Sequence, residues 1–178
     1  MGAVPCEEPG LSELDHALQC SAELKAAAPG DMELQLAGLL HDVAYGPSYH
    51  SAHHRVGADA VRGLFGERVA QLIALHVDAK RYLVSTDPDY RARLSPVSVE
   101  TLALQGGDMT VEEVAAFEAE DYWRDGLKLR EADEAAKTPG RVVPGLDAWL
   151  PILRNLAGGG GRGMRDSAVN KPEGRLTR

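Results

Sequence analysis

Apolar residues recur along most of the chain at the three-to-four-residue spacing of an amphipathic helix, and the alternation typical of β-strands is nearly absent. Residues that start or stop helices divide this pattern into about seven to eight segments. The predicted helices cover 12–28, 32–45, 52–65, 67–82, 96–104, 111–120, 122–137 and 146–156. The sequence therefore predicts an all-α fold, a single helical bundle without internal repeats.

Several of these boundaries have a local physical reason. Ser12, followed by Asp15 three residues later, resembles a capping box, and Asp31 is placed to cap the second helix. Gly46 with the proline after it predicts the end of that helix. Pro96 suits the first turn of a helix, where its missing N–H group has no partner to lose.

Composition limits the class of protein. A chain of 178 residues is long enough for one domain with its own core. Cys6 and Cys20 are too few for a disulfide framework and indicate a reducing, cytoplasmic location, with Cys20 expected in the core. No apolar run reaches the roughly 20 residues that cross a bilayer, so no membrane span is predicted.

The net charge of −8 is unevenly distributed. The segment from Ala157 onward is glycine-rich and carries a net charge of +3, which leaves −11 on the rest. An acidic body disfavours nucleic acid as a partner, since phosphate binding needs a clustered basic surface. We therefore predict one domain over 1–156 and a basic, disordered tail over 157–178.

Histidines and aspartates spaced along the helices are the candidate metal ligands. The set comprises His16, His41, Asp42, His53, His76 and Asp133. Four imidazoles and two carboxylates are too many ligands for one ion and about the right number for two. Nitrogen and oxygen ligands together suit iron, manganese or zinc rather than calcium.

The residues alone leave alternatives open. His16 lies mid-helix among apolar residues, where a hydrogen-bonded core histidine is the ordinary interpretation. Asp42 follows an inward-facing leucine pair, and a buried carboxylate costs several kcal/mol, roughly, unless a cation accompanies it. Only one member of the group His50, His53 and His54 is expected to be a ligand, and Asp133 lies in a charged run typical of a solvated face.

The order and context of these residues resemble a known family. The stretches that carry the resemblance are EPGLSELDHALQC, LLHDVA, HHRVGA, LHVDAKRYL, LSPVSVETLALQGG and LREADEAAKTPG. The order H…HD…H…H…D resembles the HD-domain superfamily of metal-dependent phosphohydrolases in its dinuclear form. More narrowly, the flanking segments are similar to the PhnZ-type HD proteins of phosphonate operons, which are mixed-valence di-iron oxygenases.

The resemblance implies a role for each residue. His16, His41, Asp42 and Asp133 would surround one iron, and Asp42 would bridge to a second iron held by His53 and His76. Lys80 would hold the substrate's phosphonate, while Ser98, Thr101, Gln105, Tyr45 and Glu8 would contribute to the substrate side. Asp42, Lys80 and Glu8 are the residues assigned to catalysis.

The implied reaction uses two iron ions, Fe(II) and Fe(III), with O₂ as co-substrate. It cleaves the C–P bond of a small 1-hydroxyphosphonate, giving a carboxylic acid and phosphate. The candidate substrates are 2-amino-1-hydroxyethylphosphonate and its N-methylated analogue. The alternative within the superfamily is a dinuclear phosphohydrolase acting on a phosphate ester.

Two departures from the family pattern lie on the substrate side. Pro5 and Cys6 stand where the oxygenases carry a tyrosine, although Glu8 matches their glutamate with a shift of one residue. Tyr45 stands where they usually carry the last histidine of HDIGH. A changed substrate or a truncated start site would each explain this pattern.

Overall fold

The computed structural model describes residues 8–46 and 51–159. Over these residues the chain forms nine α-helices, one 3-10 helix and no strand, which confirms the all-α prediction. The α-helices are α1 (Glu13–Ala27), α2 (Met32–Leu40), α3 (His53–Phe65), α4 (Glu67–Thr86), α5 (Tyr90–Arg93), α6 (Pro96–Leu104), α7 (Val111–Glu118), α8 (Trp123–Ala135) and α9 (Leu150–Gly159), and the 3-10 helix is Leu146–Ala148.

The main core lies around α4, which packs against α2, α3 and α8, while α1 packs against α2 and α8. Leu72 and Ile73 of α4 are fully buried there with Leu36 of α2, Leu129 of α8 and Trp149. Cys20 lies in this core as predicted. Helices α1, α3, α4 and α8 also carry buried polar residues, so core packing sets the spacing of these side chains.

Helices α1 and α2 approach each other closely because Gly38 has no side chain. A Cβ atom at Gly38 would lie 2.5 Å from Leu24 Cδ1 and 3.3 Å from Cys20 Sγ. Both of those neighbours are buried, so neither has space to move away. This close approach brings His16 of α1 next to His41, which follows α2.

Most predicted helix starts are confirmed. Ser12 accepts a hydrogen bond from the Asp15 N–H, Asp31 accepts one from the Leu34 N–H, and Pro96 opens α6. The exception is the short helix α5, which lies between the predicted segments 67–82 and 96–104.

The predicted end of the second helix is wrong. Helix α2 ends at Leu40 rather than near Tyr45, and residues 41–44 form turns in which Val43 and Tyr45 donate to the carbonyls of Leu40 and Asp42. The α-helical hydrogen bonding of α2 therefore ends directly before His41 and Asp42. Helix α4 in turn continues to Thr86, four residues beyond its predicted end.

Helix α9 continues to Gly159, so it includes the first three residues of the predicted tail. The rest of that tail, as well as Pro5, Cys6 and His50, lies outside the described residues. Among the helices of the described part, none combines the length and the apolar composition that crossing a membrane requires.

Candidate metal centre

The six predicted ligands converge from five parts of the chain. His16 lies on α1, His41 and Asp42 follow α2, and the remaining three are His53 on α3, His76 on α4 and Asp133 on α8. Five of them are buried, and Asp42 is partly exposed. A buried group of this composition on a rigid helical framework has the character of a binding site rather than of a solvated surface.

One group forms around Asp42 Oδ2. This oxygen lies 3.2 Å from His41 Nε2 and 3.7 Å from His16 Nε2. Asp133 Oδ1 lies 3.2 Å from His16 Nε2 and 3.8 Å from His41 Nε2. Two imidazoles and one oxygen from each of two carboxylates therefore face a common point.

A second group forms around the other carboxylate oxygen of Asp42. Asp42 Oδ1 lies 3.2 Å from His53 Nε2 and 3.6 Å from His76 Nε2. Asp42 therefore presents one oxygen to each histidine pair, which is the arrangement of a carboxylate that bridges two metal ions.

The imidazole rings are held by backbone carbonyls on their far side. The Nδ1 atoms of His16, His41 and His76 lie within hydrogen-bond distance of the carbonyls of Ala136, Gly38 and Ile73, at 3.2, 2.8 and 2.7 Å. A carbonyl only accepts, so each Nδ1 is the donor and each Nε2 is left with its lone pair toward the cluster. Such outer hydrogen bonds fix the tautomer of metal-bound histidines.

The spacing of the Nε2 atoms fits shared cations. His16 and His41 place these atoms 3.2 Å apart, and His53 and His76 place theirs 3.0 Å apart. Two lone pairs at this distance repel unless a proton or a metal cation lies between them. Two nitrogens bound at right angles to one metal at about 2.1 Å are roughly 3.0 Å apart, so both pairs match the edge of a coordination polyhedron.

The electrostatics favour ionised carboxylates. Burial by itself raises the pKa of Asp42, but His41 outweighs it and the pKa lies well below its usual value. Burial likewise opposes ionisation of Asp133, and the adjacent Arg130 holds its pKa well below the usual value. Burial, followed by the neighbouring His53, lowers the pKa of His76. Burial opposes protonation of His41, but the charge of Asp42 outweighs it and holds the pKa of His41 well above its usual value, so a metal ion would displace a proton from this imidazole.

The structure also distinguishes His53 from its neighbour His54. His53 contacts both Asp42 and His76, as described above. The ring of His54 is buried beside that of His53, with the two centroids 5.6 Å apart, and its Nδ1 has no hydrogen-bond partner among the described residues. Burial lowers the pKa of His54 to about 4. The geometry therefore agrees with the choice of His53 as the ligand.

A cavity of about 70 Å³ adjoins the cluster. One water needs roughly 15 Å³, so a small molecule fits there and a polymer does not. Every residue predicted for the substrate side lines it: Glu8, Tyr45, Lys80, Ser98, Thr101 and Gln105. Five of the six predicted ligands, all except His41, also line it, so the cluster and the cavity form one site.

Lys80 is the principal cation of this cavity. Its Nζ donates to Thr101 Oγ1 at 3.0 Å and lies 3.5 Å from the Ser98 carbonyl. Burial, followed by the nearby Arg130, lowers the pKa of Lys80 to about 7. The Gln105 Oε1 atom is buried and has no hydrogen-bond partner within residues 8–46 and 51–159, so it can accept from a bound molecule.

Glu8 and Tyr45 lie at the same cavity. Glu8 accepts a hydrogen bond from Ser95 Oγ, and one of its oxygens is 3.5 Å from Lys137 Nζ. The ring of Tyr45 packs edge-on against that of His53, with centroids 5.0 Å apart. Tyr45 therefore occupies space directly beside a candidate metal ligand.

Sequence reasoning missed two further cations and one acid at this site. Arg130 and Lys137 line the cavity, and Glu134 contacts both of them. Arg130 and Glu134 belong to the run that the sequence presented as a solvated face, yet Arg130 is only 3% exposed. Arg130 precedes Asp133 by three residues and Glu134 by four, and this spacing along α8 was the available signal.

Comparisons with known proteins agree with this geometry. A family model described as HD domain matches residues 14–124, which include every predicted ligand except Asp133. Hydroxymethylphosphonate dioxygenase of Gimesia maris is 37% identical over 150 residues, covering 78% of this chain and 74% of the relative. The glycine-betaine-forming 1-hydroxy-2-(trimethylamino)ethylphosphonate dioxygenase of Leisingera caerulea is 32% identical over 134 residues, covering 70% and 68%.

The family match spans more than half of the chain, and both relatives align over about two thirds or more of their own length. The dinuclear ligand geometry and the adjoining small polar cavity are consistent with that match. The chain therefore belongs to the HD-domain family, in the group that contains these hydroxyphosphonate dioxygenases.

Proposed function

We propose that this protein is a di-iron oxygenase that cleaves the C–P bond of a small 1-hydroxyphosphonate with O₂. The observation that carries the proposal is Asp42, whose two oxygens each face a histidine pair beside a cavity lined by Lys80. The names of both relatives support this reaction class. The iron pair, mixed-valence Fe(II)/Fe(III), would supply the redox chemistry and the open positions for O₂ and substrate.

The reaction balances without an external reductant. A 1-hydroxyphosphonate and one O₂ give one carboxylate, one phosphate and a proton. The carbon is oxidised by four electrons and both oxygen atoms are consumed. Because no electron donor is required, the site needs access only for the substrate and O₂.

The protein's own groups bind and orient the substrate. Lys80 provides a buried ammonium that pairs with the phosphonate, and its contact with Thr101 fixes its direction. Gln105 offers an unpaired amide oxygen to a donor on the substrate. The cavity is consistent with a small substrate, and the candidates are 2-amino-1-hydroxyethylphosphonate, its trimethylated analogue and hydroxymethylphosphonate.

The proposal is tested with protein purified from iron-supplemented cells. Elemental analysis should give two irons per chain, and partly reduced protein should give the EPR signal of a coupled mixed-valence pair that changes when a hydroxyphosphonate is added. An oxygen electrode together with a phosphate assay should then give one O₂ consumed per phosphate released, for at least one of the three phosphonates.

Variants define the controls. Asp42→Asn should lose iron and turnover together, whereas Asp59→Asn, on the exposed face of α3, should match the wild type. Release of phosphate from a phosphate ester with zinc or manganese bound, and without O₂ uptake, would replace the proposal with the phosphohydrolase alternative.

A further inference from the structure

Arg130 is a buried charge at the border between the cavity and the metal centre. It lies on α8, one turn before Asp133, and is 3% exposed. A charge this deep in a protein persists only when its hydrogen bonds are satisfied. Its partners therefore indicate what the residue does.

Each nitrogen of the Arg130 guanidinium donates to an oxygen of the protein. Nε donates to Tyr90 Oη at 2.8 Å, and Nη1 donates to Asp133 Oδ2. Nη2 donates to Ser98 Oγ at 3.2 Å and to Glu134 Oε2. Although Arg130 lines the cavity, these residues engage four of its five N–H groups, in contrast to Lys80 with its two weaker contacts. This distinguishes Arg130 from a group that binds substrate.

The contact with Arg130 gives the two oxygens of Asp133 different partners. Oδ2 accepts from Arg130, whereas Oδ1 lies 3.2 Å from His16 Nε2 and faces the cluster. Rotation of the carboxylate that brought both oxygens to the cluster would break the bond to Arg130. The guanidinium is itself fixed by Tyr90 from α5 and by Ser98 from α6.

We infer that Arg130 is a positioning residue that makes Asp133 a ligand through one oxygen only. The inference rests on the proposed function, since it takes Asp133 as a metal ligand. By holding Oδ2, Arg130 withdraws negative charge from the carboxylate and keeps one coordination position of the neighbouring metal available. Tyr90 and Ser98 act through Arg130, because they set where the guanidinium lies.

The test compares iron-loaded wild type with Arg130→Gln and Arg130→Lys. Arg130→Gln should bind iron about 10- to 100-fold more weakly, the usual effect of removing a partner that orients a metal ligand. In protein saturated with iron, the mixed-valence EPR signal should shift and kcat should fall more than KM rises. Arg130→Lys, which can still donate to Oδ2, should restore the signal in part.

A matched control separates positioning from general destabilisation. Arg68 is another arginine bound by carboxylates, those of Asp31 and Asp125, in a cluster that shares no residue with the metal centre. Arg68→Gln should lower thermal stability and leave the EPR signal unchanged. If Arg130→Gln does not fold, Tyr90→Phe, which removes the acceptor of Nε, should give a smaller shift of the same signal.

The outcomes are distinct for the two proposals. The role of Arg130 is overturned, while the di-iron proposal stands, if Arg130→Gln and Arg130→Lys keep the wild-type EPR signal and iron affinity. If Arg130→Gln does not fold, the same result in Tyr90→Phe overturns that role. Wild-type protein that binds no iron and gives no mixed-valence signal overturns the proposed function itself, and the inference with it.

Discussion

Replacement of Lys80 by methionine tests the anion-binding role of this side chain through its pH dependence. Lys80 is 4% exposed, and burial lowers its pKa from 10.5 to about 7. That difference corresponds to about 5 kcal/mol acting against the protonated form, at 1.36 kcal/mol per pH unit. Lys80 is therefore charged in only about half of the molecules at pH 7, nine tenths at pH 6 and one hundredth at pH 9.

The protonated form should bind an anion more tightly than methionine does. A hydrogen bond to a charged group contributes about 1.5–3 kcal/mol, which is roughly a 10- to 100-fold change in Kd. Since the lysine pKa is depressed, this advantage is present below pH 7 and is lost as the pH rises. Bound metal cations disfavour the ammonium further, so the loss should begin at or below pH 7.

Methanesulfonate is a suitable probe because its charge does not change over this pH range. Anaerobic calorimetry on metal-loaded protein should give a Kd ratio of Lys80→Met to wild type of roughly 10–100 at pH 6 and within about twofold of unity at pH 9. Lys128→Met, at an exposed position that pairs with Asp125, should behave as wild type throughout. A ratio that is constant between pH 6 and 9, or equal affinities at pH 6, would refute the reasoning.

Three further outcomes are expected. His76→Ala should reduce the metal content from two ions to one by elemental analysis, whereas His54→Ala should retain two; the reverse would show that the ligand was chosen wrongly. Gly38→Ala should lower the urea midpoint, because overpacking against Leu24 costs about 1–3 kcal/mol, and an unchanged midpoint would argue against the close helix approach. Chelation should lower Tm, since a metal at 100 times its Kd contributes about 2.7 kcal/mol, and a constant Tm would mean that metal binding and folding are not coupled.

The fold was predictable where a helix boundary depends on local chemistry. Ser12 and Asp31 each cap a helix through their own side chains, so their neighbours in the sequence suffice to identify them. The end of α2 at Leu40 depends on tertiary structure instead. The apolar pattern runs on through Val43, but the backbone turns there and places Asp42 between its neighbour His41 and histidines from other helices.

The candidate site likewise has a part that local sequence predicts and a part that depends on distant residues. His76 and Lys80 lie four residues apart on α4, and this spacing predicts one shared helix face, while the family resemblance assigned Lys80 to the substrate. The burial of Arg130 depends on Tyr90 and Ser98, which come from segments 40 and 32 residues earlier in the chain. A charged run gives no indication of whether distant partners will cover it, so the residues that support Asp133 emerged only from the structure.

The position of Asp42 between the two histidine pairs affects how tightly the first and the second metal ion bind. Because its Oδ2 faces one histidine pair and its Oδ1 the other, a cation in either position would fix the carboxylate for both. The entropy of ordering Asp42 would then be lost once, with the first ion, so the second should bind more tightly than the first. Titration with limiting metal should consequently give a mixture of empty and fully loaded molecules, with few singly loaded ones.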